Sequence, residues 1–342
     1  MKPVKVLQIA FTYMGTVVGA GFATGQEILQ FFTRFGYWGT VAIGLATVLF
    51  VWLGAKMMLI AADIGAKSYE DLNKTLFGER AGRLVSHFML CVLLGVNAVM
   101  LAGAGSIFNE HLGISYQTGL LVTMIGCYLL LRKGMNAILT VNAIVVPVML
   151  VFTVLVILDT LRSPGAERWL QLESDHSPWA AWASPVLYAA FNLSMAQAVL
   201  VPLGKEIGDR RTIVAGCWVG GIGIGFMLLA GHIALSAYMP GITQLAIPMG
   251  GIARELGQSI QWIYLFLIFA EILTTLISDV YGLTLQLEER LGWSRRVIVA
   301  AVLLVCYLIS QMGFGPLLST LYPLFGMVSL GWLYLMIRRK AG

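Results

Sequence analysis

The 342 residues are 58% hydrophobic, and the 22 basic and 17 acidic side chains make up only 11% of the chain, less than half the roughly 25% charged content of an ordinary soluble domain. That balance excludes a soluble globular protein and leaves no segment for a sizeable soluble domain. The net charge of +5 does not point to nucleic acid, because its distribution follows a membrane topology.

In chain order, apolar blocks lie near Val6 to Phe32, Tyr37 to Ala62, Leu84 to Phe108, Tyr116 to Leu131 and Ala137 to Leu158. A second five lie near Trp179 to Leu203, Ile213 to Tyr238, Ile260 to Leu285, Val297 to Ser310 and Leu317 to Ile337. A bilayer core is about 30 Å thick and needs about 20 apolar residues in a helix. Runs such as Gly119 to Leu131 are apolar on every face, unlike the alternating strands of a membrane barrel. The expectation is an all-α polytopic membrane protein with ten spans. Alternating the loops places 17 Lys and Arg on the side of the N-terminus and only Arg34, Arg162, Arg168 and Arg254 on the other. Basic residues accumulate in cytoplasmic loops, so both termini are expected in the cytoplasm and the chain in the cell (plasma or inner) membrane, with the lipid bilayer as its surroundings. Lys56 in span 2 can snorkel to the cytoplasmic end. The first block lacks a small-residue cleavage site and runs into a Gly-rich stretch, so it is expected to be retained.

Cys91, Cys127, Cys217 and Cys306 each stand alone in a different block, as buried thiols do, and His87, His111, His176 and His232 form no metal-binding spacing. No nucleophile and base pair stands out either. An enzyme and a resident cofactor are therefore not expected.

The most informative stretch lies in span 1, where Gly15, Gly19, Gly21 and Gly25 precede Gln26 and Glu27. Four glycines beside an ionisable group weaken the helix, and unwound backbone at membrane depth survives only where it is buried in protein or lines a cavity. Thr24-Gly-Gln-Glu27 has the form of a capping box, which predicts a helix start in mid-membrane with free amides facing an anionic group. Gly19, Ala20, Gly21, Phe22, Thr24, Gly25 and Glu27 are the candidate substrate-binding residues here. Plain helix packing for the glycines, and a purely capping role for Glu27, are the alternatives.

In span 6, Pro185 and Pro202 flank Phe191, Asn192, Ser194 and Gln197. A second discontinuity is expected there, with Phe191, Asn192 and Ser194 completing the substrate site; kinks with ordinary interhelical hydrogen bonds are the alternative. In span 8, Glu271, Thr274, Thr275, Ser278 and Asp279 fall within an arc of about 140° at about 100° per residue. Such a face cannot rest against lipid. It suits either sodium, through its hydroxyls, or protons, through its carboxyls, unless the hydroxyls bond their own helix.

Asn97, Asn136 and Asn142 read as helix-to-helix hydrogen bonds, and Trp38, Trp169, Trp179, Trp182, Trp293 and Trp332 as an interfacial belt. Residues 66–82 predict a short amphipathic cytoplasmic helix and 242–256 an external helix or lid. Pro316 and Pro323 mark the start of span 10 and a kink.

Together, ten spans, Val18-Gly-Ala-Gly-Phe22 in a broken first span and a hydroxyl-rich span 8 resemble the amino acid-polyamine-organocation superfamily with the LeuT fold. The string from Gly19 to Glu27 is most similar to its YkvI-like branch. The resemblance implies a single transporter domain over 1–342, with an inverted repeat of 1–158 and 179–342, five helices each, and substrate held between breaks in spans 1 and 6. It also implies a coupling-ion site from the carbonyls of Gly15, Val18 and Glu271 and the hydroxyls of Thr274 and Thr275, with Ser278 beside it. A sodium ion at Thr274 and Thr275 is thus one option. Glu271 stands where sodium-coupled relatives have a small residue, which favours H+ over Na+. The expected function is secondary active transport of a small amino acid or related amine by alternating access. A divalent-metal carrier of the same fold, prompted by Asn192 and Met195 but lacking an Asp in span 1, and an amino-acid-sensing membrane subunit that moves nothing are the other readings.

Overall fold

The computed structural model describes residues 3–131 and 136–339. Lys2, Arg132, Lys133 and Lys340 of the basic count lie outside the described residues, as do the side chains of Asn136, Asn142 and Arg290.

The first apolar block folds as three pieces, α1 (Pro3–Val17), α2 (Ala20–Thr24) and α3 (Gln26–Phe31), and the second as α4 (Tyr37–Ile64). After α5 (Tyr69–Phe77), the third to fifth blocks are α6 (Glu79–Glu110), α7 (Tyr116–Leu131) and α8 (Asn136–Thr160), followed by the single turn α9 (Arg168–Gln171). The sixth and seventh are α10 (Pro178–Ile207) and α11 (Arg210–Ala237); α12 (Pro248–Glu255) lies in the next connection, and α13 (Gln258–Leu291), α14 (Arg295–Ser310) and α15 (Phe314–Arg338) complete the chain. Six of the described helices, α4, α6, α10, α11, α13 and α15, are long and apolar enough to cross a membrane. Large apolar side chains such as Phe266, Ile263, Leu308 and Val151 point outward, the surface a bilayer solvates.

Helix ends follow local chemistry. Ser68 and Asp71 form a reciprocal capping box at the start of α5, and Ser177 with Pro178 starts α10, as fixed φ and an accepting hydroxyl favour. Lys56 reaches the end of α15, where its Nζ donates to the Ile337 carbonyl at 2.8 Å.

Lipid tails offer no hydrophobic drive between helices, so small residues that let backbones approach carry much of the packing. A Cβ on Gly204 of α10 would meet the backbone of Met58 in α4, and one on Gly221 of α11 would meet Val51 of α4. α10 thus lies against α4 and α15, and α11 against α1 and α4. Among the described residues, a second buried cluster joins α6, α7, α13 and α14 through residues such as Leu101, Leu120, Leu276 and Val302, while other faces of α6 and α13 belong to the main core.

Four expectations about the helices need correction. Span 6 is not broken: α10 runs through Pro185 and Pro202 as one helix. Each proline removes a single amide and leaves the rest of the ladder in place, and Asn192 Nδ2 and Ser194 Oγ add second bonds to the Tyr188 (3.0 Å) and Phe191 (2.8 Å) carbonyls of the same helix. Cys91 is exposed rather than buried, because its face of α6 turns out of the bundle. Trp332 is only 3% exposed; its place on α15 faces inward, so it is no part of the aromatic belt. Asn97 also bonds its own helix, donating to the Leu93 carbonyl at 2.8 Å.

Candidate substrate site at the span 1 interruption

The first span is interrupted twice. After α1, the Val18 amide still reaches the Met14 carbonyl, but the Gly19 amide turns to Val17 (3.0 Å), and the ladder resumes with Ala23 to Gly19 (2.9 Å). Gly19 is extended, with φ −93° and ψ −172°. The amides of Ala20, Gly21 and Phe22 form the first turn of α2 and therefore have no acceptor within that helix. The second interruption is Gly25, whose φ of +85° lies where a Cβ is strained.

The break is where the glycines place it, but the predicted capping box does not form. Thr24 Oγ1 donates to the Gly21 carbonyl (2.8 Å) and accepts from the Gln26 amide (3.4 Å). Glu27 instead accepts from the Tyr188 hydroxyl of α10 at 3.1 Å. The left-handed turn at Gly25 redirects α3 so that the Glu27 carboxyl folds back beside Gly21, where a Cβ would collide with it. Gly21 is therefore room for Glu27, not open ligand space. The carboxyl is only 4% exposed. Around it, the Tyr188 ring packs on Phe31 and Phe32, both at 5.1 Å, and on Phe50 at 5.9 Å.

Two further residues hold the interrupted segment. Tyr264 of α13 donates to the Ala23 carbonyl at 2.5 Å and stacks on Phe152 at 3.6 Å, and Ser184 of α10 donates to the Phe31 carbonyl at 2.6 Å. Sequence reasoning passed over Tyr188 and Tyr264. The usable signal was a tyrosine deep in an apolar block, since its hydroxyl must find a partner when buried.

Among the span 6 candidates, Asn192 is buried and faces its own helix as described. Phe191 turns to α15, 4.5 Å from the Tyr322 ring, and Ser194 shares a hydrogen bond with Ser329 of α15 at 3.0 Å. Both side chains therefore face α15.

In α13, Glu271 and Thr274 are buried, while Thr275, Ser278 and Asp279 are half-buried. Thr274 Oγ1 donates to the Glu271 carbonyl at 3.1 Å, so two oxygens of the implied sodium set are engaged with each other. Glu271 is 4% exposed, and its carboxyl makes no hydrogen bond among the described residues. A Cβ on Gly15 would meet Val146 of α8, so that glycine packs against span 5. No group of three His, Cys, Asp or Glu that could hold a metal ion occurs among the described residues.

The connection before α13 closes over the interruption. Gln26 Nε2 donates to the Leu245 carbonyl at 2.8 Å, and a Cβ on Gly25 would strike Met249 of α12. Glu110, at the end of α6, accepts from the amides of Ala246 (2.7 Å) and Ile247 (3.0 Å). Hydrogen bonds to a charged group contribute about 1.5–3 kcal/mol. Glu110→Ala is therefore expected to speed hydrogen exchange of the 245–253 amides roughly ten- to hundred-fold, read by mass spectrometry; unchanged exchange would show that the carboxylate does not hold this segment.

The chain is 42% identical over 337 residues to the uncharacterized membrane protein YkvI of Bacillus subtilis (strain 168), spanning 98% of this chain and 96% of that one. It belongs to the YkvI family. A second relative in the same organism, the uncharacterized protein YyaD, is 25% identical over 322 residues, 93% of this chain and 91% of that protein. No family model matches the chain. Among solved structures, MhsT in complex with L-phenylalanine is similar at a TM-score of 0.69 and 16% identity, over 94% of this chain and 87% of that one. Mhp1 in its inward-facing conformation follows at 0.68 and 12%, over 95% and 73%. The manganese transporter of Eremococcus coleocola, in complex with an aromatic bis-isothiourea substituted compound, gives 0.60 and 13%, over 97% and 78%. This YkvI-family chain thus has the LeuT fold, and the solved proteins it resembles are transporters, not enzymes.

Proposed function

We propose that the chain is a secondary transporter for a small amino acid or related amine, working by alternating access with substrate at the span 1 interruption. The observation that carries this reading is the pairing of backbone released at Gly19 with the buried Glu27 carboxyl a few residues on. First-turn amides can receive a substrate carboxylate, and a buried carboxyl can receive an ammonium group or a proton. The L-phenylalanine bound to MhsT is consistent with that class of ligand. In this reading the ten spans form a five-plus-five inverted repeat, both termini are cytoplasmic as the basic residues favour, and the membrane is the cell membrane.

Coupling is assigned to protons at Glu271. A buried carboxyl that finds no hydrogen-bond partner among the described residues is costly when charged, and Thr274 is already engaged with Glu271's own carbonyl. In proteoliposomes, Glu271→Gln is expected to lower uptake driven by a pH gradient at least tenfold while substrate counterflow survives. Wild-type uptake that requires a sodium gradient and ignores an imposed pH gradient would move the coupling site to sodium at Thr274 and Thr275.

A further inference from the structure

At one end of the bundle, where α7 finishes and α14 begins, a cavity of about 320 Å³ is lined by Tyr128, Leu131, Arg295, Arg296 and Val299. Both arginines are exposed, and among the described residues neither guanidinium has an ion pair or a hydrogen bond. Arg295 is positioned by stacking instead, its Cζ 4.6 Å from the centre of the Tyr281 ring. Half-buried Tyr128 makes no hydrogen bond among the described residues either, and no acidic side chain among them lines the cavity. The setting is a membrane boundary: Trp293, in the turn before α14, is 54% exposed, as tryptophans at the headgroup level are. Leu121 and Ile125, seven and three residues before Tyr128, continue its face of α7, and Ala300 and Leu304, four and eight residues after Arg296, extend from it along α14. All four are exposed, so an apolar strip of each helix runs from the cavity along the outer surface.

Two adjacent cations without a counter-charge favour an anion, and a guanidinium presents paired N–H groups that match phosphate oxygens. Basic pockets between helices at a membrane surface hold anionic headgroups in this way. We propose that this cavity binds an anionic glycerophospholipid, its phosphate accepting from Arg295 and Arg296 with the Tyr128 hydroxyl as a further donor, and its acyl chains lying along the strips of α7 and α14. Net charge selects among lipids. A choline headgroup brings its own cation, which two arginines repel, whereas a glycerol headgroup leaves the phosphate charge free to pair. A soluble phosphate ester offers the same oxygens but covers neither apolar strip, so the lipid is the favoured occupant. The site shares no residue with the span 1 interruption and does not rest on the transport reading.

The test is native mass spectrometry of the full chain, delipidated in detergent, with dioleoylphosphatidylglycerol or dioleoylphosphatidylcholine titrated in. The first phosphatidylglycerol adduct is expected to form at least tenfold more tightly than the first phosphatidylcholine adduct. Arg295→Gln combined with Arg296→Gln should weaken it at least tenfold, while Arg80→Gln combined with Arg83→Gln, an exposed basic pair on α6, should leave it unchanged. Excess glycerol 1-phosphate, which has the headgroup chemistry without the chains, should not displace it. Equal affinity for the two lipids, an adduct indifferent to the loss of Arg295 and Arg296, or equal weakening by both double variants would each overturn the proposal. Displacement by glycerol 1-phosphate would do the same, since it would make this a site for a soluble phosphate.

Discussion

Glu27→Gln is expected to reduce uptake at least a hundredfold while leaving a folded protein. Glutamine has the same shape and its carbonyl can still accept from the Tyr188 hydroxyl, so the change removes only the capacity to carry charge or a proton. Tyr188→Phe separates this from support of the site. It leaves Glu27 Oε2 without its partner, and an unsatisfied buried group costs about 1–3 kcal/mol, so uptake should fall roughly tenfold or more with part of it retained. Transport by Glu27→Gln at the wild-type rate would reduce Glu27 to a structural acceptor.

The second large effect is a contrast between two glycines two residues apart. Gly21→Ala would push against the Glu27 carboxyl, and overpacking of this kind costs about 1–3 kcal/mol. It should lower Tm and abolish uptake together. Gly19→Ala has nothing within 4 Å of the new Cβ and a φ that alanine accepts, so Tm should stay put. Loss of substrate binding without loss of stability at Gly19 would mark the open side of the interruption. Equal Tm for both variants would contradict the packing of Glu27 against Gly21.

The six long apolar helices were legible because length and apolarity are properties of a continuous stretch, and the break after α1 because glycine acts on its own backbone. Where the outcome depended on distant partners, the sequence misled. Thr24 and Glu27 had the spacing of a cap, yet Glu27's partner is Tyr188, 161 residues away. Pro185 and Pro202 resembled helix breakers, but each removes only its own amide, and Asn192 and Ser194 between them bond to carbonyls of their own helix, which runs unbroken. Trp332 sat near a span end, and only the approach of α15 to α10 shows that it faces inward.

The interrupted segment is held from two helices at once: Glu27 accepts from Tyr188 of α10, and the Ala23 carbonyl accepts from Tyr264 of α13. α10 is locked to α4 backbone to backbone through Gly204, while α13 shares a second buried cluster with α6, α7 and α14. Any change in the spacing of α10 and α13 must therefore be taken up by the three residues between these anchors, and Gly25, with a φ of +85°, is the one of them whose backbone already leaves the helical range.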